Sequence, residues 1–103
     1  MEKINELIER SYQAIKKRGL ITYKTTLDDF LKKIREELYE AEHENFLINN
    51  WKQTESLNPY IEEITDLMTV CIMQLRHLDL NPVDEFEKVV IKNEQRADKS
   101  HKI

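Results

Sequence analysis

The stretch "PYIEEITDLMTVCIMQL", Pro59 to Leu75, decides the fold. Wound as a helix at about 100° per residue, it shows two apolar faces. Glu63, Asp66, Val70 and Met73 fall on one stripe; Ile61, Ile64, Met68, Ile72 and Leu75 fall on another. A helix apolar on two sides belongs at the centre of a bundle and has surface left for a second copy of the chain. The first stripe opens on carboxylates before it turns apolar. Carboxylates that face a bundle interior are costly unless paired or bound to a metal.

The flanking residues supply the helix signals. Asn58 is suited to the N-cap and Pro59 to the first helical position, and the helix is expected to run to about Leu78. "DLNP" repeats the signal. There Asn81 caps and Pro82 opens a last helix with Val83, Phe86, Val89 and Val90 on one side, ending near Arg96 and leaving 97–103 as a mobile tail. Upstream, Ile4, Leu7, Ile8, Tyr12 and Ile15 predict a first helix from about Glu2 to Arg18, closed by Gly19 in a left-handed C-cap. Thr26 and Asp29 form a capping-box pair for a second helix. Its apolar face is Leu27, Phe30, Leu31, Ile34, Leu38 and Ala41, and it is expected to reach about Asn45. "FLINNWKQTESL" reads as a frayed helix end followed by a loop. Trp51 in that loop is either a cap over the core or a platform for a ligand ring. The expected fold is all-α: a four-helix bundle-like single domain over 1–103, completed by dimerisation or higher assembly.

Composition narrows the function. The chain has 103 residues, 40% apolar and 35% charged, with 20 acidic and 16 basic side chains and a net charge of −4. That balance argues against a protein that grips nucleic-acid backbone, and no apolar run approaches the length of a membrane span. The charged N-terminus does not read as a secretory signal, and the single Cys71 fits a reducing cytoplasm. Cys71 lies in an apolar run and reads as a small core residue rather than a nucleophile.

Two acidic pairs carry the chemistry. "EELYE" spans Glu36 to Glu40 and "EEITD" spans Glu62 to Asp66. Residues three apart on a helix lie about 60° apart around its axis, so Glu37 can converge with Glu40, and Glu63 with Asp66. Like charges so placed repel unless something cancels them. Four carboxylates on two facing helices make an oxygen-rich site of the kind hard divalent cations prefer. The 22 residues between Glu40 and Glu63 leave room to return the third helix antiparallel to the second. On the last helix, Lys88, Lys92 and Arg96 form a ridge with Asn93 beside it. It is either a solvated face paired with Asp84, Glu85 or Glu87, or the cationic side of a polyphosphate site.

"EELYE", the 22-residue gap and "EITD" resemble the E-E-x-x-E … E-x-x-D signature of the MazG-like nucleoside triphosphate pyrophosphohydrolases, within the all-α NTP pyrophosphatase superfamily. "KNEQR", Lys92 to Arg96, resembles the basic K-x-x-x-R of that family's later helix. The resemblance implies cleavage between the α- and β-phosphates, giving a nucleoside monophosphate and pyrophosphate. It implies magnesium, with manganese as a substitute, held by Glu37, Glu40, Glu63 and Asp66. It implies Lys92 and Arg96 as phosphate contacts, and a homodimer or homotetramer. Glu37 or Glu40 would be the general base. Two other readings compete. A non-catalytic helical module would pair through the third helix. A di-iron or di-manganese carboxylate bundle would use Glu40 with His43, but no second E-x-x-H pair exists.

Overall fold

The computed structural model describes residues 2–51 and 56–100, with the side chains of Glu2, Trp51 and Ser100 excepted. These residues form four helices and no strand: α1 (Glu2–Lys17), α2 (Leu27–Trp51), α3 (Asn58–His77) and α4 (Pro82–Ser100). The protein is all-α and bundle-like. No described helix is long and apolar enough to cross a membrane.

Local chemistry sets most of the boundaries. Gly19 takes φ 78°, the Gly19 amide donates to the Lys16 carbonyl and the Leu20 amide to that of Ile15. This pair of bonds closes α1 as a Schellman motif. Thr26 and Asp29 exchange reciprocal bonds at 2.9 and 3.2 Å and start α2. The Thr26 backbone bond also holds the Asp29 carboxyl below its usual range. Asn81 Oδ1 accepts from the amides of Val83 and Asp84 and starts α4.

Four expectations need correction. Asn58 does not cap α3; Leu57 occupies that position, and the Asn58 amide instead donates to Ser56 Oγ at 3.1 Å. The serine two residues earlier takes the role expected of Asn58. α2 runs to Trp51 rather than Asn45, because its asparagines bond within the helix. Asn50 Nδ2 donates to the Phe46 carbonyl and Asn49 Nδ2 to Asn45 Oδ1. Residues 97–100 belong to α4, since no glycine or proline follows Pro82 to stop it; 101–103 lie outside the described residues. Cys71 is exposed, because it sits on an α3 face that no described residue covers.

α2 and α3 are antiparallel. The Phe30 ring near the start of α2 meets His77 at the end of α3, at 5.4 Å between centroids, while Glu37 lies beside Glu63 and Asp66 further back. The core forms where α1, the α1–α2 loop, the start of α2 and the second half of α3 meet. Tyr12, Ile21, Phe30 and Met73 are buried there, flanked by Ile8, Ile15, Val70 and Ile72. Two polar clamps close it. His77 Nε2 donates to the Thr25 carbonyl at 3.2 Å, a group that only accepts, and in the neutral ring this leaves Nδ1 to accept from the Tyr12 hydroxyl at 2.9 Å. Arg76 donates from Nε and Nη2 to both oxygens of Glu9, at 2.8 and 3.2 Å, and lies 4.6 Å over the Tyr12 ring. These bonds pull the Glu9 carboxyl down to about 2.

α4 joins the bundle through its first turn. Pro82 is buried and Val83 and Glu85 half-buried, but every described side chain from Phe86 onward is exposed. The radius of gyration is 16.9 Å, against about 13 Å for a compact chain of this length.

Candidate metal centre

The antiparallel pairing sets the middle of α2 against the first half of α3. Glu37, Glu63 and Asp66 each bring a carboxylate oxygen into one cluster, all within 4.8 Å of one another. Glu37 faces inward and is 6% exposed. Glu63 is half-buried and Asp66 exposed, so the cluster opens outward along α3. Glu40 adjoins the group through a hydrogen bond shared with Glu63.

The described residues balance these charges only in part. Lys33 Nζ lies 3.2 Å from Glu37 Oε1 and 3.6 Å from Glu36 Oε2. The hydrogen bond to Glu37 raises the Lys33 ammonium above its usual value, keeping it charged. Glu37 Oε2 and Glu63 Oε2 are buried and have no hydrogen-bond partner among the described residues. A buried carboxylate oxygen without a donor is expensive, and two beside each other are more so. The donor set is all oxygen, from carboxylates at mutual distances one ion can bridge, which fits magnesium or manganese and not a thiolate-seeking metal.

The Glu63 carboxyl is pushed from 4.5 up to about 7, first by the bond shared with Glu40, then by burial, then by the charges of Glu40, Asp66 and Glu37. Folded metal-free protein thus binds this proton more tightly than the unfolded chain between those two values. Its contribution to stability is complete below about pH 4.5 and is lost as pH rises through about 7. Denaturation of metal-free protein across that window is expected to show stability falling with pH, and Glu63→Gln to flatten the fall. Equal pH dependence in both proteins would contradict the shared proton.

Beside the cluster lies a cavity of about 560 Å³, lined by both Glu37 and Asp66. Ile15, Ile21, Phe30 and Met73 form its apolar wall, and Arg18, Lys32 and Lys33 line it as well. The last three were not among the sequence candidates. Lys33 was detectable, standing four residues before Glu37 on the same helix face. Arg18, just past the end of α1, reaches the cavity because α1 packs against α3, and Lys32 reaches it from α2.

The basic ridge of α4 lies elsewhere. Lys88 pairs with Glu85 at 3.0 Å, matching the solvated-face alternative, and Lys92, Asn93 and Arg96 are on the exposed length of α4. None of the four lines the cavity. The Trp51 side chain lies outside the described residues. His43 is exposed and is not in the acidic cluster.

No family model, no curated protein and no solved structure matches this chain.

Proposed function

We propose that the protein is a divalent-cation-dependent nucleoside triphosphate pyrophosphohydrolase, cleaving between the α- and β-phosphates. The observation that carries this reading is the buried Oε2 of Glu37, without a hydrogen-bond partner among the described residues, on a carboxylate that belongs to an acidic cluster beside a cavity lined by three basic side chains. The cavity volume falls within the range of about 300–1,000 Å³ typical of small-ligand sites.

Glu37, Glu63 and Asp66 would hold the ion. When bound, magnesium supplies neutralisation of phosphate charge and a polarised water. Glu37 and Glu63 have oxygens to give, and Glu37 already has its other oxygen on Lys33. Glu40 stands outside the three-way cluster and is left to accept the proton of the attacking water at its carboxylate. Arg18, Lys32 and Lys33 would stabilise negative charge on the leaving pyrophosphate. The apolar wall around Phe30 and Ile21 would exclude water from the nucleoside end. Lys92 and Arg96 could reach such a ligand from the α4 of a second copy.

A homodimer or larger assembly is part of the proposal. The chain exposes 8537 Å², against about 6,100 Å² for a compact monomer of 12.4 kDa. Much of the surplus is apolar: Ile61 and Met68 on α3 and Phe86 and Val89 on α4 are all exposed. The same surface also supports the competing reading, a non-catalytic oligomerisation module, which would assemble without regard to magnesium. A nucleotide substrate and one free thiol fit the cytoplasm.

Pyrophosphate release from a panel of ribo- and deoxynucleoside triphosphates, with magnesium and with chelator, tests the proposal. Equal yields of monophosphate and pyrophosphate from at least one substrate, only with metal, are expected. No turnover across the panel would contradict it.

A further inference from the structure

Lys33 sits one helical turn before Glu37, with its ammonium 3.2 Å from Glu37 Oε1. Its side chain is about half in solvent, at 53% exposure, whereas that of Glu37 is at 8%. The carboxylate is therefore fixed and the ammonium is free to leave. Lys33 also lines the cavity that Asp66 and Glu37 border, so it has a place to go. An ammonium and a divalent cation on one carboxylate repel, most strongly close to the buried Glu37 carboxylate.

We propose that Lys33 is a resident counter-ion: it neutralises Glu37 in the metal-free protein and is displaced into the cavity when Glu37 takes a divalent cation. This rests on the metal centre proposed above. Two consequences follow from the charge arrangement. Metal affinity is set lower than the three carboxylates alone would give. The Lys33 ammonium becomes available to an anion in the cavity only once the metal is in place, which orders binding as metal first and anion second. Lys33 then acts on Glu37 while the metal is absent and on the anion once the metal is bound.

Calorimetric titration of manganese into metal-stripped protein tests this directly, without any measurement of activity. Lys33→Met removes the charge and keeps the length, and is expected to bind manganese about three- to tenfold more tightly than wild type. Lys33→Arg keeps the charge and is expected to bind no more tightly than wild type. Lys33→Gln replaces Lys33→Met if thermal melting shows the latter unfolded. Unchanged or weaker binding by the neutral variant, with wild type binding metal, would overturn the counter-ion role and leave the metal centre standing. Absence of manganese binding in wild type and neutral variant alike would overturn both.

Discussion

Asp66→Asn is expected to lower magnesium-dependent pyrophosphate release by about 100-fold or more, equivalent to about 2.7 kcal/mol of transition-state stabilisation. The carboxylate belongs to the three-way cluster and borders the cavity, yet it is exposed and makes no hydrogen bond that holds the fold among the described residues. The substitution conserves shape and removes one negative charge from a group that would hold a dication. Stability of the metal-free protein should change by no more than about 0.5 kcal/mol. That separation makes the variant informative, because lost activity would not be lost folding. Rates measured beside thermal melts decide it. A variant with wild-type turnover would remove Asp66 from the site.

The second large effect falls on stability. Met73 is 2% exposed at the centre of the core, and Met73→Ala is expected to cost about 2–5 kcal/mol in urea or guanidinium unfolding. Against a typical total of about 5–15 kcal/mol, that is a large fraction for so small a core. Met68, one turn and a bit earlier on the same helix, is 54% exposed. Met68→Ala should leave the folded monomer nearly unchanged and weaken self-association instead. Concentration-dependent sedimentation of both variants separates the two faces of α3. Equal destabilisation by both would mean that the two stripes are not distinct.

Much of this architecture was legible in the residues because it is local. Gly19, the Thr26–Asp29 pair and Asn81 act within a few residues of themselves, and each does in the structure what its spacing predicts. Asn58 failed for a local reason too: the helix already includes it, with Leu57 at the cap position and the Asn58 amide donating to Ser56 Oγ. The end of α2 was missed because asparagine is disfavoured inside helices in general, while here Asn49 and Asn50 each find a partner one turn back. Cys71 was misplaced because an apolar run signals burial without saying which side is buried. On α3 Val70 and Met73 go inward; of the other stripe, Ile61, Ile64 and Met68 stay outside while Ile72 packs on the core and Leu75 is half-buried.

The candidate site divides the same way. Period and spacing brought out Glu37, Glu63 and Asp66, since two acid pairs on antiparallel neighbours meet wherever the helices cross. The role of Lys33 was overlooked because an i, i+4 lysine is common on any solvated helix. The α4 ridge drew attention through its regular spacing, but spacing within one helix carries no information about where that helix points. Arg18 and Lys32 show the converse: nothing in their local sequence marks them, and tertiary folding alone brings them to the cavity.

Thermal melting of metal-stripped protein with and without magnesium tests the central claim most directly. Glu37, Glu63 and Asp66 together would bind the ion in the folded state only, so saturating magnesium should raise the melting temperature, with about 2.7 kcal/mol gained at a concentration 100 times the dissociation constant. Glu63→Gln should abolish that rise while leaving the fold intact. Identical melting of the wild type in both conditions would contradict a carboxylate-held cation and, with it, the hydrolase reading.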